Sequence, residues 1–227
     1  MPDGKRLIVR LPRAQRIADI MRAAREVFVE KDYADASIAE IAERAGVVEG
    51  SIYRYFENKR DLLVKVVENW YEGMIDDYER QLAGVRGTRN RLHFMIWNHL
   101  QAIHEQPGLC RLVFRELRRG REYTTSSMLE LNRRYTQRTM EILSAGLEDG
   151  EFRAGLSAAL ARDMIYGCIE HHTWHYLRGQ GDFDIDATAE RISDLVLGGI
   201  AGIPDSPLDR TAERLERVAA RLEAAAD

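Results

Sequence analysis

The chain has 227 residues, 45% of them hydrophobic and 31% charged. That balance excludes wholesale disorder and supplies apolar matter for a substantial core. The net charge of −4 excludes a protein that coats nucleic acid indiscriminately. The charge is uneven, however: residues 1–25 carry Lys5, Arg6, Arg10, Arg13, Arg16, Arg22 and Arg25 against Asp3 and Asp19. A basic end on an acidic chain points to a localised anionic partner, phosphate or membrane surface, or else to a solvated arm. Cys110 and Cys168 form no disulfide framework and no CxxC pair, and read as reduced, mostly buried thiols. The opening "MPDGKRLIVRLPR" lacks an apolar h-region, and no apolar run reaches the ~18 residues of a membrane span. The expectation is a cytoplasmic protein with no membrane partner.

In chain order, Ile17, Ile20, Ala24, Val27 and Phe28 recur at three- and four-residue steps and predict an amphipathic helix over 13–31, ended at Asp32-Tyr33. Ser37 followed three positions on by Glu40 is a capping-box start for a helix over 37–45. Gly46 supplies its stop, at a left-handed position where the missing Cβ matters. Helices over 48–56 and 59–83 follow, before Gly84 and Gly87 break the pattern. Thr88 caps a helix over 88–104 that ends at "QPG", and a short helix covers 109–119. A longer helix over 127–147 stops at "EDGEFRAG"; Ser157 opens one over 157–177, closed by "RGQGD", and Asp186 opens one over 186–200. Ser206 as cap, Pro207 at the first helical position and Leu208, Leu215 and Leu222 seven apart predict a last helix over 206–226. No segment alternates as a strand does, so the fold class is all-α.

The segments 37–45 and 48–56, joined at Gly46-Val47, have helix-turn-helix spacing, which lays the second helix in the DNA major groove. That gives a use to the polar crowd "SIYRYF": Arg54 can bond phosphate or fork onto guanine, and tyrosine hydroxyls can donate to phosphate oxygens. Ile52 and Phe56, four apart, face inward onto Ile38, Ile41 and Phe28. The stretch "IMRAAREVFVEKDYADASIAEIAERAGVVEGSIYRYFENKRDLL", residues 20–63, resembles the DNA-binding domain of the TetR family of transcriptional regulators. The matching features include Tyr33, Ser37, Ile41-Ala42, Ala45-Gly46-Val47, Gly50, Ile52-Tyr53, Tyr55-Phe56 and Asn58-Lys59 with Leu62-Leu63.

The resemblance implies an N-terminal three-helix DNA-binding domain over 1–58, an effector-binding and dimerisation domain over 59–203, and an extra C-terminal helix over 204–227. It also implies a homodimer on double-stranded operator DNA. Ser37, Tyr53 and Lys59 then fall at phosphate-contacting positions. Gly50 and Ser51 fall where the reading helix approaches bases, and Arg54 and Tyr55 at variable positions that reach bases or phosphates. Val48 departs from the usual Ser or Thr and loses a cap, and Glu49 departs from a frequent Lys or polar residue. Asp32 stands where the family has Gly, tolerable because Asp visits positive φ. Arg10, Arg13 and Arg16 could reach flanking phosphates or the minor groove.

In the second domain, "LARDMIYGCIEHHTWHYL" is apolar or aromatic on more than one face and predicts burial on more than one side. With the Gly198-Gly199 helix it resembles the pair that builds the family's dimer interface. Expected effector-lining residues are His93, Trp97, Leu100, Met128, Tyr135, Met164, Glu170, His171 and Trp174, although a plain core of Met and aromatics reads identically. His171 and His175 have a spacing that suits zinc, but this is not HExxH and no second ligand pair stands out. No metal and no cofactor are therefore expected. The function expected is a ligand-responsive DNA-binding regulator, not an enzyme: a repressor released from its operator by a small apolar or amphipathic effector such as an acyl chain or acyl-CoA. The alternatives are a helical enzyme or metalloprotein using Glu170, His171 and His175, and an interaction module without effector.

Overall fold

A computed structural model describes residues 12–118 and 127–201. The described elements are α1 (Arg13–Asp35), α2 (Ile38–Arg44), α3 (Glu49–Ile52), α4 (Lys59–Leu82), α5 (Thr88–Glu105), α6 (Pro107–Leu112), a π-helical turn (Val113–Leu117), α7 (Ser127–Glu148), α8 (Ala158–His172), α9 (Trp174–Leu177) and α10 (Ile185–Ile200). The only strand-like pairing among the described residues is an isolated bridge between Phe152 and Ala201. The basic arm up to Arg10 and the helix expected over 206–226 lie outside the described residues.

Local chemistry sets the boundaries. Ser37 Oγ accepts the Glu40 N–H at 3.2 Å and opens α2, and Asn58 does the same for Asp61 at 2.9 Å at the head of α4. Gly46 ends α2 at φ 65°. Several expected boundaries move: the short helix expected over 109–119 begins at Pro107 and turns π-helical over Val113–Leu117. Gly87, at φ 82°, precedes α5, while the hydroxyl of Thr88 turns instead to Glu151 at 3.2 Å. Asp184, two residues earlier than expected, caps α10 through Ala187 N–H at 2.9 Å. The segment 157–177 breaks at Thr173, whose hydroxyl donates back to the Ile169 carbonyl at 2.8 Å. The reading segment 48–56 is helical only over Glu49–Ile52, with Tyr53 as its C-cap and Phe56 N–H still bonded to the Ile52 carbonyl at 3.0 Å.

One apolar cluster runs from α1–α3 through Leu62, Leu63, Val66 and Val67 of α4 to Leu109, Leu112, Val113 and Leu117, and on to Met128, Leu131 and Tyr135 of α7. The N-terminal three helices thus share a core with α4, α6, the π-helical turn and α7. The joint is close: a Cβ on Gly108 would lie 2.4 Å from Val29 Cγ1, so glycine lets α6 settle against α1. The second cluster fills the space between α4, α5, α8 and α10, with Leu92, Ile96, Leu100, Ile165, Ile169 and Ala189 fully packed.

Candidate DNA-reading head and effector cavity

The head is built by tying α2 to α1 and leaving α3 outward. Arg44 pairs with Glu30 at 2.8 Å and with Glu40 at 3.7 Å, and Lys31 with Glu40 at 2.9 Å. Ile52 and Phe56 are buried in the shared core, so the opposite side of α3 faces solvent. Val48, Glu49, Gly50, Tyr53 and Arg54 are exposed there, and Ser51 and Tyr55 are half-buried. A Cβ on Gly50 would meet nothing within 4 Å, so no internal packing calls for glycine at that surface. Arg13, in the first turn of α1, lies 5.7 Å from the centre of the Tyr55 ring. Ser37 is exposed at the start of α2.

Lys59 is placed differently from a free phosphate ligand. Its ammonium donates to the carbonyls of Tyr33, Ala36 and Ala34 at 2.7, 2.8 and 3.3 Å, using all three of its N–H groups on the end of α1. Next to it, Arg60 donates to the Glu116 carbonyl at 2.7 Å and so links the head of α4 to the π-helical turn.

Further along α4, Trp70, Tyr71 and Met74 meet His99, Ile103, Cys110, Phe114, Arg118 and Tyr135 around an inner cavity of ≈ 20 Å³. Tyr71, His99, Arg118 and Tyr135 also line an outer cleft of ≈ 540 Å³ that opens between α7 and α8 beside Tyr166 and Glu170. His99 Nδ1 lies 2.8 Å from the Tyr135 hydroxyl, and the Tyr166 hydroxyl 2.9 Å from Thr139 Oγ1. Burial, with a smaller contribution from the nearby Arg118 charge, lowers His99 to about 3, so its ring is neutral at physiological pH. Burial raises Tyr166 to about 12 and Tyr135 well above its usual value, so both keep a hydroxyl proton to donate. At the mouth, Arg118 donates to Glu170 at 3.0 Å. The cavity therefore offers aromatic walls, neutral hydrogen-bonding groups deep inside and charge at its rim, which is the pattern of a site for a largely apolar molecule.

Of the residues expected to line it, Tyr135 and Glu170 do so. Leu100 and Met128 are packed in the two cores. His93 faces Ser193 at 3.0 Å and Trp97 donates to Asp186 at 2.7 Å, so both fasten α5 to α10. Met164 is 64% exposed, His171 is exposed, and Trp174 lines a different cleft. His99, Tyr166 and Arg118 were not foreseen. The signal for His99 was present, because it continues the inward series Leu92, Met95, Ile96, Leu100 and Ile103 as its one imidazole. Among the described residues no group of three or more His, Cys, Asp or Glu is arranged to hold a metal ion, and no helix is long and apolar enough to cross a membrane. On the outer side of α8 and α10, Leu160, Met164 and Leu195 are 59%, 64% and 76% exposed, with Gly167, Gly198 and Gly199 open beside them.

Comparison with known proteins agrees with this architecture. Residues 20–66 match the model of bacterial regulatory proteins of the tetR family, and residues 86–200 match that of the tetracyclin repressor-like C-terminal domain. The fatty acid metabolism regulator protein of Bacillus subtilis (strain 168) is 28% identical over 80% of this chain and 93% of its own length. The transcriptional repressor KstR2 of Rhodococcus jostii (strain RHA1) is 24% identical over 82% of this chain and 91% of its own. A crystal structure of the transcriptional regulator FadR from Bacillus subtilis, in complex with stearoyl-CoA, superposes with a TM-score of 0.73 and 28% identity over 81% of this chain and 98% of that one. With its C-terminal match alone spanning half its length, the chain belongs to the TetR family, whose members are ligand-responsive DNA-binding transcriptional regulators.

Proposed function

We propose that the protein is a homodimeric repressor that holds an operator with α3 and lets go when an amphipathic effector of the acyl-CoA class enters between α4, α5, α7 and α8. The observation that carries this reading is α4 itself. It begins under the reading head at Lys59 and supplies Trp70, Tyr71 and Met74 to the inner cavity, on one helix with no break over Lys59–Leu82. An occupant that needs more room than the inner ≈ 20 Å³ must displace that wall, and a tilt of α4 moves the head. The relatives that regulate fatty acid metabolism, and the FadR structure holding stearoyl-CoA, support the effector class.

In this reading Ser37 and Tyr53 hold phosphates, Gly50 and Ser51 allow close approach to bases, and Val48, Glu49, Arg54 and Tyr55 adjust base choice. The exposed apolar side of α8 and α10 is the two-fold interface, needed because one short helix reads too few bases. The protein acts where DNA is, in the cytoplasm, and performs no catalysis. Operator DNA selected from a random pool, titrated with and without palmitoyl-CoA, tests the proposal. Affinity should fall by roughly 5- to 150-fold when the effector is bound. An operator affinity indifferent to saturating bound effector would refute release while leaving DNA binding intact. Tyr53→Phe should weaken binding to all sequences alike, and Arg54→Ala should relax base choice at one position.

A further inference from the structure

We propose that a second cleft, where α1, the α6–π segment and α9 meet, takes the phosphorylated head of the effector, its phosphates on Arg111, Arg115 and Arg178 and a flat ring of the head on Trp174. The inference rests on the amphipathic-effector reading of the inner cavity and assigns the other end of the molecule. The cleft has a volume of ≈ 650 Å³ and is lined by these three arginines, Asp32, Phe114, Trp174 and Leu177. Its cations outnumber its single carboxylate. Arg115 pairs with Asp32 at 3.1 Å, Arg111 gives one N–H to the Leu177 carbonyl at 3.3 Å, and the Arg178 guanidinium has no partner among the described residues. Guanidiniums are the side chains best shaped to fork onto phosphate oxygens. Trp174, 37% exposed, presents an indole beside them, as a stacked heterocycle flanked by phosphates requires.

The rim of the α7–α8 cleft is the competing place for such a head, and its charge is already balanced. There Arg118 holds Glu170 at 3.0 Å, Arg162 holds Asp163 at 2.8 Å and Arg133 lies 3.9 Å from Glu130. An anion at that rim would face two lining carboxylates, Asp163 and Glu170, with Glu130 beside Arg133, whereas the α1–α9 cleft is lined by one.

The two ends are also joined. Phe114 lines both the α1–α9 cleft and the inner cavity, and it sits on the π-helical turn, with Arg118 4.9 Å from its ring centre. π-helical turns widen the helix and gather at functional sites. A turn of the Phe114 side chain would open a path from the head cleft to the cavity that takes the tail. Phosphates arriving at Arg115 compete with Asp32, and the Asp32–Arg115 pair ties the end of α1 to the π-helical turn. Head binding would therefore loosen a tie to the reading head directly.

Palmitoyl-CoA, palmitate and CoA alone, each titrated into the full-length protein by calorimetry and by tryptophan fluorescence, separate the possibilities. Arg178→Ala and Trp174→Leu should each weaken palmitoyl-CoA by roughly tenfold or more, the loss of one charge-assisted or stacking contact, while leaving palmitate within about twofold. CoA alone at millimolar concentration should quench a signal that disappears in Trp174→Phe. Palmitoyl-CoA binding untouched by Arg178→Ala, or a loss found in Arg133→Ala instead, overturns the assignment. Failure of wild-type protein to bind palmitate or palmitoyl-CoA, with the CoA quench retained, sinks the tail reading and keeps the head site. Failure of all three ligands sinks both.

Discussion

Lys59 closes the end of α1 on Tyr33: its ammonium donates to the Tyr33 carbonyl at 2.7 Å and lies 4.5 Å from the centre of the Tyr33 ring. With two further carbonyls accepting, at Ala34 and Ala36, the side chain satisfies a helix terminus and holds α4 to α1. Lys59→Met is therefore expected to lower stability by about 1.5–3 kcal/mol, the scale of hydrogen bonds to a charged group. The slope of log affinity for DNA against log salt should stay the same in the folded variant. A slope shallower by about 0.9 with stability unchanged would make Lys59 a phosphate ligand instead. Urea unfolding and salt titration of operator binding decide between them.

The second expectation concerns pH. His99 is lowered to about 3 by burial, helped by Arg118, while an unfolded His takes its proton near 6.5. Below 6.5 the unfolded chain binds a proton that the folded chain refuses, so stability is full above that pH and declines as pH falls toward 3. His99→Gln keeps a partner for the Tyr135 hydroxyl and removes the titration. The difference in urea midpoint between wild type and His99→Gln should shift in favour of the variant from pH 7 to pH 5. A difference independent of pH would mean that the folded protein lets His99 charge.

The exposed apolar side of α8 and α10 supplies the third. Leu195 is 76% exposed, so a single subunit loses little when it becomes charged. In a dimer the same change would bury a carboxylate without a partner, at a cost of several kcal/mol. Leu195→Glu should thus run as a monomer in sedimentation while melting within a few degrees of the wild-type subunit fold, and operator affinity should drop with it. A dimer as tight as wild type would move the interface elsewhere.

What was legible in the sequence followed from local chemistry. The caps and the inward face of the N-terminal helices were legible, because Ser37, Gly46 and Asn58 act through their own neighbours and Ile52 with Phe56 repeats at helical spacing. The candidate effector cavity was legible only in part. Tyr135 and Glu170 line it, but Trp97 and His93 are spent on Asp186 and Ser193, some 90 to 100 positions away in sequence, and no local pattern reveals such partners. Met164 and His171 illustrate the other difficulty. A helix apolar on two faces announces two covered sides without saying which faces a cavity and which a neighbouring subunit. The break at Thr173 was hidden as well, since a threonine that bonds back to its own helix reads like any helical threonine.

The last expectation returns to Asp32, which interrupts α1 at φ 63° and ψ 165°. That region is almost confined to glycine, and a residue with a Cβ pays about 1–3 kcal/mol to occupy it. Against this strain stands the pair with Arg115 at 3.1 Å, half-exposed on both sides and worth about 0–1 kcal/mol. Asp32→Gly removes the strain and the pair together, and the greater freedom of glycine in the unfolded chain returns about 0.4–1 kcal/mol of the gain. The balance still favours the variant, by about 1 kcal/mol. Asp32→Ala keeps the Cβ and loses the pair, so the order of stability should be Gly above Asp above Ala, read from urea midpoints at pH 7. Aspartate above glycine would show that the ion pair outweighs the backbone. The same variants test the pair's second role. With no carboxylate to hold Arg115, one tie between α1 and the π-helical turn is gone, so operator and palmitoyl-CoA should each still bind. The factor by which one weakens the other should shrink toward unity in both variants, and by the same amount from either side, because the coupling is reciprocal.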